Sequence, residues 1–271
     1  MKSSIRISLL MTATISPKNC PGAKFSPEER RARYLNAFRF YLKKLEEGVF
    51  SGLVFAENSN SDLNDFIEAI PDELKEKVEI LSAPLTYFSE KLGKNNEFLL
   101  IDYAVDNSRL LARSDGFFKV TGRYFFRNIK SLVKDVVSTA APLDLYCDQK
   151  DHRLFSSLGS KKRERDGETR FFYSSIDFWK KNFYGYFVKY PMWRRVEDLM
   201  FDVAQSHYGD ERCRFRFKHE PLIGGDYYGG SDGEYIISMG IKMPPKCYFA
   251  IVYFRWIIES ALRRILPHFW F

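Results

Sequence analysis

Near its start the chain reads Ile5-Arg-Ile-Ser-Leu-Leu-Met-Thr-Ala-Thr14, and this stretch decides the fold. The run is apolar and β-branched and ends before Ser16-Pro17, so it predicts a buried first strand that leads into a loop. Ser26-Pro-Glu-Glu29 then supplies an N-cap, a proline and two acids, and apolar residues follow at helical spacing up to Gly48. We therefore expect a buried strand followed by an amphipathic helix.

The same alternation continues along the chain. Short apolar runs predict strands over residues 52–56, 78–81, 117–126 and 143–147. Helices are predicted from Asp62, as the cap, and over residues 95–114 and 193–207. The resulting β-α-β-α-β-α-β order is typical of an α/β fold with a mostly parallel sheet.

Composition excludes several classes of protein. The chain has 271 residues, of which 45% are hydrophobic and 28% charged, so it is neither disordered nor collagen-like. No run of about 18 uncharged apolar residues predicts a membrane span, and residues 7–11 are too short for the apolar core of a signal peptide. The four cysteines form no CxxC pair, so we expect a reducing cytoplasm.

The net charge of +7 favours a phosphate-bearing or membrane-surface partner. Several nucleotide and hydrolase motifs are absent, namely GxGxxG after the first strand, GxxxxGK[ST], GxSxG and HExxH. Dehydrogenase, P-loop, hydrolase and zinc-protease functions therefore lose their usual sequence support.

Polar residues follow three of the predicted strands. Ligands of open α/β sheets bind beyond the carboxyl ends of the strands, at the point where the strand order reverses. The candidate segments are Thr12-Ala-Thr14, Glu57-Asn-Ser59 and Lys119-Val-Thr-Gly-Arg-Tyr124.

These residues resemble the GT-A-type glycosyltransferases that use nucleotide-sugars and are encoded with bacterial surface polysaccharides, capsule and lipopolysaccharide. The matching features, within roughly the first 150 residues, are Ser8-Leu-Leu-Met-Thr-Ala-Thr14, Arg30 and Arg33 before Tyr34, Phe55-Ala-Glu-Asn-Ser59, Gly93-Lys94 with Glu97, and Lys119-Val-Thr-Gly-Arg-Tyr124. The resemblance implies a GT-A-like, Rossmann-related sheet, mixed but mostly parallel and flanked by helices, with a C-terminal helical and aromatic extension. We expect one catalytic domain over 1–243, with a donor half to about 150 and an acceptor half from about 151, and an amphipathic tail over 244–271.

The resemblance also implies a donor site. Thr12, Ala13 and Thr14 would border the nucleotide, and Glu57 or Asn58 would hydrogen-bond the base or ribose. A cationic group would consist of Lys94, Lys119 and Arg123, with Thr121 between them, near the diphosphate. The alternatives are that residues 57–59 form only a solvated turn and helix cap, and that each basic residue is an ordinary surface charge.

The candidate catalytic and acceptor-binding residues lie in the second half of the chain. The family usually carries a DxD-like acid cluster that holds a divalent ion, but Asp148-Gln-Lys-Asp151 is not a clean DxD. Mg or Mn on Asp148 and Asp151 is one hypothesis, and metal-independent binding by the basic residues is the other. Asp148, Asp151 and Asp226 are the candidate bases. Candidate acceptor contacts are Asp177, Trp179 and Asp232, although aromatic residues in such runs usually pack in the core.

The sequence thus predicts a glycosyltransferase that moves a sugar from a nucleotide-diphosphate donor to a surface-polysaccharide or lipid-linked glycan, with no nucleic-acid partner. We expect it in the cytoplasm, with the tail as one means of attachment to the inner membrane face. A second hypothesis is a non-catalytic nucleic-acid-binding protein, because Arg214-Phe-Arg-Phe-Lys218 has the pattern of a stacking strand. A third is a phosphosugar transferase that uses a related donor.

Overall fold

The computed structural model describes residues 5–17, 25–85, 96–151, 165–190, 195–219 and 221–224, together with a few single positions between 254 and 265. The helices are α1 (Pro27–Glu46), α2 (Asn64–Glu68), α3 (Asn96–Asn107), α4 (Ile129–Val137), α5 (Ile176–Asn182), α6 (Tyr186–Lys189) and α7 (Val196–Ser206). The longer strands are β1 (Ile7–Ala13), β2 (Gly52–Glu57), β3 (Val78–Ser82), β4 (Gly116–Thr121) and β9 (Phe171–Ser175). The shorter ones are β5 (Phe125–Phe126), β6 (Leu145–Tyr146), β7 (Gln149–Asp151), β8 (Arg165–Gly167), β10 (Cys213–Arg214) and β11 (Ile223–Gly224).

Seven strands form the central sheet, in the order β10-β6-β9-β4-β1-β2-β3. The pairs β1/β2, β1/β4, β2/β3 and β6/β10 are parallel, whereas β9 is antiparallel to both β4 and β6. Residues on the two faces of the sheet belong to separate apolar clusters, one including α1 and the other including α3, α5 and α7. The predicted α/β fold with a mixed, mostly parallel sheet flanked by helices is confirmed.

The strand predicted near the start is β1, and all seven of its residues are buried. Leu9 and Met11 pack on the face that carries α1, and Leu10 packs on the opposite face. A strand covered on both faces needs apolar side chains at successive positions, which explains the continuous run. Helix α1 begins with a capping box, in which Ser26 and Glu29 each accept a hydrogen bond from the other's backbone amide.

Several predicted boundaries differ in the structure, including that of β6, which covers only 145–146 of the predicted 143–147. The strand predicted over 117–126 is divided into β4 and β5 by a turn at Gly122 and Arg123. The helix predicted over 95–114 ends at Asn107, and the next residue, Ser108, donates its hydroxyl to the Glu79 carboxylate at 2.5 Å and accepts from the Leu111 amide at 3.1 Å. Asp62 does not cap α2: the N-cap is Leu63, and Asp62 accepts a hydrogen bond from the Asn64 amide instead.

No helix in the described part of the chain is long and apolar enough to cross a membrane. The predicted division into a domain over 1–243 and a tail over 244–271 stays a prediction. In the tail, Phe254, Ile257, Ile258 and Ile265 are exposed.

A buried carboxylate joins α3 to the turn between α5 and α6. Asp102 is only 2% exposed and accepts hydrogen bonds from the Trp179 indole N–H at 2.8 Å and from the Gly185 amide at 2.9 Å. Burial raises the pKa of Asp102 from 3.8 to about 7, and the two hydrogen bonds only partly oppose it. The folded protein therefore holds a proton on Asp102 at pH values where the unfolded chain has lost it.

This difference predicts how stability depends on pH. Between about pH 4 and 7 Asp102 binds more protons in the folded state than in the unfolded state, so its contribution to the free energy of unfolding falls as pH rises and levels off above the folded pKa. Relative to Asp102→Asn, wild type should lose on the order of 4 kcal/mol across this range, at 1.36 kcal/mol per pKa unit. Urea unfolding of both proteins at several pH values measures the difference, and parallel profiles would contradict it.

Candidate functional site

The strand order reverses between β1 and β4. The chain passes from β1 to β2 and β3 on one side of β1, and then returns through α3 to β4 on its other side. Thr12 of β1 lies opposite Thr121 of β4 at the carboxyl ends of both strands. An open α/β sheet has its natural ligand crevice at such a point, because the connections leave in opposite directions.

One carboxylate oxygen organises this crevice. Glu97, in the first turn of α3, accepts hydrogen bonds on Oε1 from the Thr12 hydroxyl at 2.8 Å, the Thr121 hydroxyl at 2.9 Å and the Lys119 ammonium at 2.7 Å. Burial alone would raise the pKa of Glu97, but the Lys119 charge and the three hydrogen bonds outweigh it and hold that pKa below its usual value. Glu97 is therefore an anion that ties β1 and β4 to α3.

Lys119 is part of this network and is fully buried. Its ammonium donates to Glu97, to the Thr121 hydroxyl at 3.0 Å and to the Thr169 carbonyl at 2.6 Å. All three N–H groups of the ammonium are thus hydrogen-bonded to acceptors of the protein. The prediction that Lys119 contacts a diphosphate directly is not supported by this geometry, since its protons are already engaged; it positions Thr121 and Glu97.

Arg123 is a partly exposed basic residue at the crevice. Its guanidinium lies 4.8 Å from the centre of the Tyr124 ring and donates one hydrogen bond to the Tyr124 hydroxyl at 3.0 Å. Its Nε is buried and has no hydrogen-bond partner. Because a guanidinium has five N–H donors in a planar fork, Arg123 keeps donors that can take phosphate oxygens.

Gly122 explains why a glycine precedes this arginine. The Gly122 amide donates to the Thr12 carbonyl at 2.8 Å, and a Cβ at this position would stand 2.9 Å from that same oxygen and 3.2 Å from the Tyr34 ring. Any side chain would push the turn away from β1. The glycine therefore holds Arg123 beside the end of β1.

Glu57 has a different role from the one that the sequence predicts. Its side chain is fully buried and accepts hydrogen bonds from the backbone amides of Ile15, at 3.1 Å, and Ser59, at 2.9 Å, and from the Ser59 hydroxyl. It fastens the loop after β1 to the loop after β2. Because its oxygens face backbone amides, a contact with ribose or base is not supported for Glu57.

Thr14 and Asn58 lie together at the mouth of the same two loops. The Thr14 hydroxyl donates to Asn58 Oδ1 at 2.7 Å, and the Thr14 amide donates to the Tyr34 hydroxyl at 3.2 Å. Ala13, between the two threonines, is buried. A pocket of about 270 Å³ adjoins this edge, and its lining includes Ile15, Ser16, Pro27, Ser59, Asn60 and Asp62. The predicted donor residues after β1 and β2 are thus brought to one edge.

Several predicted residues lie outside the described positions or away from this edge. Lys94, Asp226 and Asp232 are outside the described residues, as is the side chain of Asp151, whose backbone belongs to β7. Asp148 is buried, and its Oδ1 accepts the Phe217 amide at 2.8 Å. Within the described residues no three His, Cys, Asp or Glu side chains are grouped closely enough to hold a metal ion. The geometry therefore gives no support for a metal on Asp148, and the metal hypothesis stays open for Asp151.

Of the two described residues that were predicted to contact the acceptor, one is exposed and the other is buried. Asp177 is exposed in the first turn of α5. Trp179 is fully buried, with its ring stacked on Phe172 at 5.9 Å between centroids. Its packing therefore leaves no ring face for a sugar, and the expectation that it contacts the acceptor is corrected to a core role.

The strand proposed for nucleic-acid stacking is also partly internal. Phe217 is 1% exposed and packs against Tyr146 and Phe171. Phe215 is half-buried and stacks on Tyr208. Since one of its two rings is in the core, residues 214–218 do not offer a continuous stacking face.

Sequence reasoning did not assign functional roles to Glu97, Arg30 and Tyr34. Arg30 donates through Nε and Nη2 to the Thr14 carbonyl at 2.9 and 2.5 Å, and its Nη2 also reaches the Tyr34 hydroxyl at 3.2 Å. All three residues occur among the features of the resemblance. Apart from the contact between Arg30 and Tyr34 within α1, their partners are 16 to 85 residues away, so no local pattern could reveal those contacts.

No family model and no curated protein sequence matches the chain. Among solved structures, an active-site mutant of LgtC superposes with a TM-score of 0.45 at 7% identity, over 88% of this chain and 98% of that one. The inositol-1-phosphate CTP transferase from T. maritima gives 0.40 at 9% identity, over 76% and 82% of the two chains. Mouse xyloside xylosyltransferase 1 gives 0.40 at 11% identity, over 78% and 84%. The likeness is in the path of the backbone.

The buried ion pair predicts the effect of removing one partner. Lys119→Met leaves Glu97 without its counter-charge, so we expect the free energy of unfolding to fall by about 3 kcal/mol. In Glu97→Gln/Lys119→Met the charge mismatch is gone, so the double variant should lose less than the sum of the two single variants. Urea unfolding of all three, with Lys75→Met in an exposed ion pair as control, measures this. Equal effects of Lys119→Met and Lys75→Met would contradict the assignment.

Proposed function

We propose that this protein is a glycosyltransferase that moves a sugar from a nucleotide-diphosphate donor to a surface-polysaccharide or lipid-linked glycan acceptor. One observation carries the proposal. The residues that resemble GT-A enzymes in sequence, Thr12, Glu97, Lys119, Thr121 and Arg123, converge on the crevice between β1 and β4. Thr12, Lys119 and Thr121 all donate to the Glu97 carboxylate, and Arg123 follows in the turn that Gly122 ties to Thr12.

In this proposal the donor lies across the carboxyl edge of β1, β2 and β4. Thr14 and Asn58 border the nucleoside, where a short hydroxyl and an amide allow close approach. Arg123 takes the diphosphate through its guanidinium group, for which one hydrogen bond, to the Tyr124 hydroxyl, is found within the described residues. Thr12, Glu97, Lys119 and Thr121 make the edge rigid, so that Arg123 is oriented before the donor arrives.

The transfer reaction forms a bond between an acceptor oxygen and the anomeric carbon of the sugar, and it breaks the bond between that carbon and the diphosphate. Negative charge develops on the departing diphosphate, and a guanidinium fixed beside it stabilises the transition state more than the ground state. The acceptor hydroxyl loses a proton to a base, for which Asp148, Asp151 and Asp226 are the candidates. Because Asp148 already accepts the Phe217 amide, Asp151 and Asp226 are favoured.

Donor binding is tested by thermal shift against nucleoside diphosphates and nucleotide-sugars, with and without Mg or Mn. A ligand that binds only the native state raises the melting temperature. We expect one nucleotide to stabilise the wild type and Arg123→Gln to weaken its affinity by about tenfold to a hundredfold, the loss of one or two charge-assisted hydrogen bonds.

The matched control is Arg113→Gln, at an exposed arginine that precedes β4 and so lies at its opposite end. Its nucleotide affinity should equal that of the wild type. No stabilisation by any nucleotide, combined with salt-sensitive retention of the protein on nucleic acid, would favour the nucleic-acid-binding alternative. A shift that requires Mg or Mn would support the metal hypothesis.

The base is identified by turnover with the donor found in that screen. Asp151→Asn or Asp226→Asn should lower the transfer rate by about 10² to 10⁴ while leaving donor affinity unchanged, because the base acts on the acceptor proton. Asp72→Asn, at an exposed position, serves as the control. Release of a nucleoside diphosphate identifies glycosyl transfer, whereas release of a nucleoside monophosphate would identify phosphosugar transfer. Full activity in both variants would exclude these two aspartates.

A further inference from the structure

Large apolar side chains are exposed on one short stretch of the second half of the chain. Val188 is 68% exposed, Tyr190 is 50% exposed and Tyr184 is 40% exposed. Exposed lysines lie among them, before and after Val188. We call this the α5–α6 surface, which consists of Lys180, Lys181, Tyr184, Val188, Lys189 and Tyr190.

The α5–α6 surface is held in place from beneath. Trp179, Phe183 and Phe187 belong to the buried cluster on this face of the sheet. The turn between the helices is fixed by Gly185, whose positive φ of 68° suits glycine and whose amide donates to Asp102. The exposed residues are therefore the outer side of an anchored element.

The charge of this segment complements an anionic partner. Between Phe178 and Arg194 the sequence has four basic residues, Lys180, Lys181, Lys189 and Arg194, and no acidic one, whereas the next residue, Arg195, is paired with Asp198. Two acids border the surface: Asp177 precedes the lysines on α5, and Asp106 accepts a hydrogen bond from the Tyr184 hydroxyl at 2.6 Å. Lysines interleaved with tyrosine and valine match the interface of a bilayer, where aromatic rings lie at headgroup level and ammonium groups meet lipid phosphates.

We propose that the α5–α6 surface docks this protein on an anionic membrane surface. Val188 and Tyr190 insert at the boundary between headgroups and acyl chains, and the three lysines contact lipid phosphates. No covalent step is involved. The interaction is reversible, because a few side chains bury far less apolar area than a spanning helix does.

The position of this surface bears on the acceptor. Phe187 contacts Phe98 of α3 with 5.9 Å between ring centroids, and Phe98 directly follows Glu97 of the crevice. Docking would therefore bring the membrane alongside the helix whose first turn organises the site. A lipid-linked acceptor would then meet the site without leaving the bilayer. This last consequence rests on the proposed function, whereas docking itself does not.

Vesicle co-sedimentation of the full chain tests the proposal. Wild type should bind vesicles of phosphatidylglycerol and phosphatidylcholine and should bind pure phosphatidylcholine vesicles much more weakly. Lys180→Gln/Lys181→Gln/Lys189→Gln should reduce the partition coefficient on the order of a hundredfold, at about fivefold for each lysine near an anionic surface. Val188→Ser/Tyr190→Ser should reduce it by about tenfold.

Matched controls carry the same chemical changes at exposed positions elsewhere. Lys75→Gln/Lys77→Gln/Lys130→Gln removes the same charge, and Ile67→Ser/Val137→Ser removes exposed apolar side chains from α2 and α4. Both should bind vesicles nearly as the wild type does. The proposal is overturned if wild type stays in the supernatant, if the two lysine triples bind equally, or if the α5–α6 lysines affect retention on nucleic acid and not on vesicles. The nucleotide thermal shift, measured on the same samples without lipid, reports on the donor site alone.

Discussion

Three hydrogen bonds to a single oxygen, Glu97 Oε1, join two strands and a helix at the point where the sheet reverses its order. The Lys119 charge and these three hydrogen bonds hold the pKa of Glu97 below its usual value, so the carboxylate is charged, and the compensating charge of Lys119 is fully buried. A buried ion pair of this kind is a weak source of net stability, because desolvation offsets most of the attraction. Its consequence is geometric: β1, β4 and α3 meet in one arrangement.

That arrangement determines what the neighbouring residues can do. Lys119 is bonded to acceptors inside the protein. The positive charge left near the crevice is that of Arg123, which the Gly122 turn places beside the end of β1. On the other side of β1, Glu57 fastens two loops and leaves Thr14 and Asn58 at their mouth. Glu57, which is buried, and Glu97, which is partly exposed, thus fix the backbone around the crevice, while Arg123 and small polar groups lie at its edge. Pre-organised donors of this kind cost little reorganisation when a charged ligand binds.

The two faces of the sheet differ in what they present. The face with α1 leads to the donor edge through Arg30 and Tyr34, which bind the backbone of Thr14. The face with α3 carries a dense aromatic cluster, in which Trp179 stacks between Phe172 and Phe183. This cluster lies beneath the α5–α6 surface, so Trp179, which was predicted to contact the acceptor sugar, instead supports an exposed surface. A few buried aromatic side chains thus hold the α5–α6 surface in position.

Local sequence determined the α/β alternation, since periodicity, the capping box of α1 and the apolar run of β1 act over a few residues. It also identified the polar ends of β1, β2 and β4, because ligand edges of such sheets follow from topology. Only the tertiary structure decided which charged side chains are already paired inside the protein. Glu97 reaches Lys119 across 22 residues and Thr12 across 85, and Asp102 reaches Trp179 across 77. Burial and pairing depend on these distant contacts, so of two basic residues in the same segment Lys119 is bonded inside the protein and Arg123 is a candidate ligand for phosphate.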